Sequence, residues 1–375
     1  MTVNLAQHLT SSERDWLGVR AYLQENRPAL TRAAAEALSG VKMMAGTHLL
    51  TRSDWAPRRP VPLDELDIAL EPDEEFEHAA KLTEAARLIL PRRADGSQYR
   101  TYAEALGEIA APTVFENRPT YRLIGGDLTA QRPWLRFGHG SYFDGINTGE
   151  AAAHEFTAVS QRLVGEPRLR AAIGNPCDPD RRPVNLAIST LTVRHDRDRR
   201  QATCLLHWRD PSKVGHAGGL YQVVPVGIFQ PSGLAAWNVG NDFSLWRSTV
   251  RELSEELLGT DEDYDSERQP IDYESWSFAA RLSDAMAEGT LRVYCLGMGV
   301  DPLTFATDLL TVAVFDAPVF DELFGEIALD NAEGQVLQAV PFEQDAIRAV
   351  IARRPFQAAG EALLELAMTH AVIHN

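Results

Sequence analysis

The chain has 375 residues, long enough for two hydrophobic cores, and its 45% hydrophobic and 24% charged residues make an ordinary globular balance. No run approaches the roughly 18–20 apolar residues that cross a bilayer, which excludes a helical membrane span. A formal net charge of −17 repels phosphate backbones and disfavours nucleic acid as a partner, although a bound cation can still recruit a phosphate ligand locally.

The opening residues MTVNLAQHLTSSERDW carry no charged-then-apolar signal pattern, so the cytoplasm is the expected location. Cys177, Cys204 and Cys295 lie far apart, form no CxxC pair, and read as buried, reduced thiols. Of the 36 basic residues 33 are arginine, a bias shared with high-GC actinobacterial coding.

Helical spacing over 12–39 predicts a helix capped by Ser12 and Asp15, with Trp16, Val19 and Leu23 on its apolar face. Pro28 is expected to start a second helix through Leu30, Ala34 and Leu38. A Pro-rich, acidic connector follows, with Trp55, Val61 and Leu63 as candidate anchors, and then helical stretches at 76–90 and 99–111. From about residue 120 the pattern changes to strands, in YRLIGGDLT and WLRFGHGSYF. A helix over 149–164 leads to a hairpin, NLAISTLTVRHDRDRRQATCLLHW, and YQVVPVGIF reads as one further strand. An amphipathic helix over 243–258, two strands in RVYCLGMGV and LLTVAVFDA, and a helix at 358–373 complete the chain.

Residues 1–115 thus read as a mainly helical region with its connector, and 116–375 as an α+β or α/β domain with a mixed sheet and a core at about 183–345. No GxGxxG follows a strand and opens a helix, and no GxxxxGK[ST] is present, so dinucleotide-binding and P-loop readings fail. His154-Glu155 would need a second histidine at position 158 to make a zinc motif, and Ala158 stands there.

The chemistry concentrates in the helix over 243–258. Trp246, Val250, Leu253 and Leu257 fall within roughly 60° of one another on a helical wheel, and Glu252, Glu255 and Glu256 occupy a second face roughly 140° away. Three carboxylates at i, i+3, i+4 repel one another. Arg251 can pair with Glu255, but one cation does not neutralise three anions, whereas a hard divalent cation does. A solvated acidic face is the competing reading. Asn241 or Asp242 is placed to cap the helix, and Gly259 to end it.

This strand, the Pro225-Val226-Gly227 turn, a loop and then RELSEELLG resemble the Nudix box, in which a glycine precedes R-E-apolar-x-E-E. The flanking hairpin and the YCLGMG…LLTVAVF pair are similar to the rest of the Nudix core, and the wider region resembles actinobacterial Nudix-like proteins, some of them fused to helix-turn-helix regulators. The chain departs from the pattern in three places. The loop from Gly227 to Arg251 is about ten residues longer, Gly233 stands where the first box glutamate is expected, and Gly259 comes one residue late. Asp242 is a candidate spatial substitute for the missing glutamate.

The resemblance implies a Nudix-like α/β/α sandwich and a Mg²⁺-dependent hydrolase, with Mn²⁺ as the alternative metal. Its substrate would be a small nucleoside-diphosphate derivative cleaved at the diphosphate. Glu252, Glu255 and Glu256 would bind the metal, with Glu255, Glu256 and Arg251 catalytic, Arg251 paired to a box glutamate, and Gly227 turning the backbone beside the helix. Glu326 and Glu333 are candidates for an additional base, and Arg209, Lys213 and His216 for a phosphate-contacting loop. His139 and His216 are weaker candidates for lining a pocket. A homodimer is left open. The alternatives are a non-catalytic nucleotide sensor, motivated by the missing glutamate and the long loop, and an assembly protein that uses the fold without a ligand.

Overall fold

The computed structural model describes residues 9–72, 76–112, 115–209, 219–261, 264–325 and 334–374. The architecture is mixed α+β, with a ten-stranded mixed sheet, a separate three-stranded sheet and a long N-terminal helix. No helix among the described residues is long and apolar enough to cross a membrane.

That first helix runs unbroken over Ser11–Ala37 with Pro28 inside it, where the sequence suggests two helices. The apolar stripe Trp16, Val19, Leu23, Leu30, Ala34 keeps its helical period across the proline, so burying one continuous face outweighs the one lost hydrogen bond. The cap is also displaced. Thr10 Oγ1 accepts from Glu13 N at 3.1 Å while Glu13 Oε2 accepts from Thr10 N at 2.7 Å, a reciprocal capping box. Ser12 is left to accept from Arg92 N instead.

The connector is anchored as expected, with Trp55, Val61 and Leu63 buried. It also joins the main sheet: Leu50 pairs with Val300, and Val61–Pro62 with Tyr294 and Cys295. Residues Asp67–Leu70 pair with Trp134–Ser141, which pairs in turn with Pro119–Asp127, making the smaller sheet. Helices Ala79–Ala86 and Tyr102–Ile109 occupy the two predicted N-terminal stretches. The helix expected over 149–164 is Ala151–Ser160, preceded by a π-turn at Ile146–Glu150.

The main path runs Lys42–Met43, Leu50–Thr51, Leu291–Val300, Thr307–Asp316, Leu186–Asp196, Gln201–Arg209, Gly334–Pro341. Thr307–Asp316 and Leu186–Asp196 are parallel, and the other pairings of the large sheet are antiparallel. Side-chain alternation splits Thr307–Asp316 between two cores. Leu309, Ala313 and Phe315 join the core that holds Val250, Leu253 and Leu257. Leu310, Val312 and Val314 join the core that holds Leu363 and Leu364 of the helix Ala358–Thr369. Helices therefore cover both faces of the sheet.

The predicted hairpin forms but opens away from its turn. Val193–Asp196 pairs with Gln201–Cys204, and the other ends of the two strands splay. The segment read as one strand, YQVVPVGIF, divides to fill that opening: Tyr221–Val223 pairs with Leu206–Trp208, and Val226–Ile228 pairs with Ala187–Ser189. Pro225, without an N–H, stands at the crossing, where its carbonyl accepts from Thr190 N at 2.9 Å. This division brings Gly227 to the edge of the site.

Candidate functional site

The helix over 243–258 is Leu245–Leu258, preceded by a short helix, Ala236–Asn241. Ser244, rather than Asn241 or Asp242, caps it by accepting from Arg247 N at 3.3 Å. Gly259 ends it in the left-handed conformation, with φ 67°, which favours a residue lacking Cβ. Val250, Leu253 and Leu257 are buried against the sheet, which turns the acidic face toward Val226–Ile228.

The three glutamates meet different surroundings. Glu252 lies against Gly227, where a Cβ on the glycine would overlap its carboxylate. Gly227 sits in extended strand, so it serves by leaving space for Glu252 rather than by making a sharp turn. Glu255 accepts from the Tyr264 hydroxyl at 2.7 Å; burial, and then the Glu255 charge, push that phenol's pKa upward. Glu256 is buried, accepts from Val226 N at 2.6 Å, and places Oε2 3.3 Å from Nδ1 of the buried His207.

Arg251 does not pair with a box glutamate. Its guanidinium donates to the Tyr273 hydroxyl at 2.6 Å and to the Gln230 carbonyl at 2.7 Å, and lies 3.7 Å from Asp242. Burial alone would lower its pKa; Tyr273 and Asp242 outweigh that and raise it. Asp242 is fully buried and accepts from Tyr273 at 2.9 Å, Ser232 N at 2.8 Å and Asn241 Nδ2 at 3.1 Å. It is thus committed to Arg251 and to the loop, away from the glutamate face. At Gly233 a side chain would meet Ser266 and Glu267, whose carboxylate already accepts from Leu234 N.

Glu252 and Glu255 line a cavity of about 420 Å³, together with Gly227, Arg251, Tyr264 and Arg209. Its walls also draw on distant parts of the chain: Arg27 and Thr31 of the first helix, Glu150 of the π-turn, Arg182, and Asp308. Asp308 opens the apolar strand Thr307–Asp316 and accepts from Ser189 Oγ at 2.8 Å. Burial pushes its pKa from the ordinary 3.8 up to about 7; the Ser189 bond opposes this and Asp301 adds to it. The sequence reading missed this residue, although an acid heading a run of buried strand residues was a visible signal.

The remaining sequence candidates lie elsewhere or have structural partners. His154 is buried between Trp16 and Tyr102, and burial, reinforced by Arg20, lowers its pKa to about 3. The Glu155 carboxylate accepts from Leu169 N and Arg170 N, both at 2.8 Å, at the start of the helix Arg168–Ile173. His139 borders a separate cavity with Arg122 and Asp144. Lys213, His216, Glu326 and Glu333 fall outside the described residues. The three cysteines are buried and unpaired, and burial raises each thiol to about 12.

Among the described residues, no three His, Cys, Asp or Glu side chains come together as a ready metal-ligand group. Of the carboxylates that line the cavity, Glu252 and Glu255 stand one helical turn apart on the same helix, and two is as many as Mg²⁺ commonly takes from protein before filling its shell with water and phosphate oxygen. No protein-family model matches the chain, and no curated protein matches it.

Proposed function

We propose that this protein is a Nudix-type hydrolase with a Nudix-like α/β/α sandwich, cleaving the diphosphate bond of a nucleoside-diphosphate derivative with Mg²⁺ or Mn²⁺. The observation that carries the proposal is the mutual placement of Gly227, Glu252 and Glu255. Residues matching the glycine and the glutamates of one motif, separated by a long loop, share one wall of a cavity large enough for a small ligand.

On this reading Glu252 and Glu255 hold the metal, which supplies neutralisation of diphosphate charge and a more acidic bound water. Glu256, which accepts from Val226 N and lies 3.3 Å from His207, sets how the helix sits on the strand. Arg251 ties the helix to Gln230 and so keeps Glu252 and Glu255 in register with the loop. Asp308, on the same cavity and with its proton equilibrium near neutrality, suits transfer of a proton from attacking water.

Incubation with Mg²⁺ and a panel of ADP-ribose, NADH, dinucleoside polyphosphates and nucleotide sugars tests the proposal. Turnover lost in Glu252→Gln and Glu255→Gln supports it; binding without turnover in the wild type defeats it. The second outcome belongs to a nucleotide sensor, a reading favoured by Gly233, which stands where the first box glutamate is expected.

A further inference from the structure

Far from the box in sequence, two buried guanidinium groups line the same cavity with much of their capacity unspent. Arg182 is 3% exposed, yet no carboxylate pairs with it among the described residues. Its donors go to neutral oxygens: the Pro176 carbonyl at 3.0 Å, the Pro183 carbonyl at 3.4 Å and Thr307 Oγ1 at 2.7 Å. Arg27 is 5% exposed, and its one charge contact among the described residues is Glu150 Oε1 at 3.9 Å, beyond hydrogen-bond range. Glu150 is shared, because Arg20 lies 3.6 Å from its other oxygen. A buried cation is costly unless paired and hydrogen-bonded, and here Arg27 shares Glu150 with Arg20 while Arg182 has only neutral partners among the described residues.

We propose that Arg27 and Arg182 form an anion subsite on this cavity that takes a compact oxyanion, phosphate or carboxylate. Planar guanidinium forks match such groups. Asp301 also lines the cavity, and its Oδ1 accepts from Leu303 N, Thr304 N and Thr304 Oγ1. Arg182 precedes Ile188, the partner of Gly227, by six positions, so the chain carries it no farther than roughly 20 Å from that residue. Resting on the hydrolase reading, the substrate class narrows to nucleotide derivatives that carry a second anionic group away from the scissile diphosphate. The wall belongs partly to the first helix, which gives the N-terminal region a part in recognition.

The test is a titration of the full chain with inorganic phosphate, and separately with acetate, in chelator without divalent metal, read by calorimetry. The wild type is expected to bind at least one of them; which one identifies the oxyanion. Arg27→Gln is expected to weaken that binding by about tenfold or more. A second variant, Thr31→Glu, puts a carboxylate into the same wall without removing a buried cation, and should abolish binding even if Arg27→Gln folds poorly. No binding of either anion, or binding indifferent to Arg27→Gln and Thr31→Glu, overturns the subsite. Because no metal or turnover enters the assay, an inactive enzyme that still binds phosphate would defeat the hydrolase reading alone.

Discussion

The Glu252 carboxylate occupies the space that any side chain at Gly227 would need. A strand and a helix separated by a long loop are therefore matched atom to atom. The same strand presents Val226 N to Glu256, so the helix is held on it at two successive residues by two different glutamates.

Gly227→Ala should displace Glu252. The expected cost is about 1–3 kcal/mol of stability, as for other overpacked sites, with loss of turnover. Adding Glu252→Ala should return part of the stability but none of the activity. Urea denaturation of the two single variants and the double variant measures the coupling, and purely additive losses would refute the contact.

Glu255→Gln and Glu256→Ala should separate chemistry from structure. Glu255 has a cavity position and a Tyr264 hydroxyl that a glutamine can still accept from, so its stability should change by no more than about 0.5 kcal/mol. Glu256→Ala strips the partner from Val226 N and should cost about 1–3 kcal/mol. Thermal melts of both variants check this; equal destabilisation would contradict the assignment.

Arg251→Met leaves Asp242 buried without its cation. A loss of about 3–5 kcal/mol is expected from breaking such a buried pair. Restoring neutrality with Asp242→Asn in the same chain should recover part of that loss. Chemical denaturation in which the double variant is no better than Arg251→Met would disprove the pairing.

Asp308 makes stability fall as pH rises. Its pKa is raised on folding, from 3.8 to about 7, so the folded state holds its proton where the unfolded chain has released it. The contribution is fully present below about pH 4, declines through the interval up to about pH 7, and is spent above it. Asp308→Asn should remove this slope, so that the wild type loses on the order of a few kcal/mol relative to the variant between pH 5 and pH 8. Denaturation midpoints at the two pH values decide it, and parallel behaviour would refute the shift.

Much of the site was legible because it is written in local periodicity. The stripe Val250, Leu253, Leu257 and the acidic face at Glu252, Glu255, Glu256 follow from 3.6 residues per turn, and Gly259 from its lack of a Cβ. Strand alternation likewise exposed the hairpin and both strands of 291–316. The cap at Ser244 and the continuity of the first helix through Pro28 were missed, since each turns on a competition between local signals that packing settles.

By itself the sequence determined which helix is amphipathic, which carboxylates share its face, and where a glycine must follow, because these depend on residues three or four apart. Only the tertiary structure decided that Arg251 answers to Asp242, that Glu256 turns to Val226 and His207, and that Arg27, Arg182 and Asp308 share a cavity with Glu252. Those relations join residues from remote parts of the chain, and the burial that sets their charges exists only once distant segments have excluded water between them.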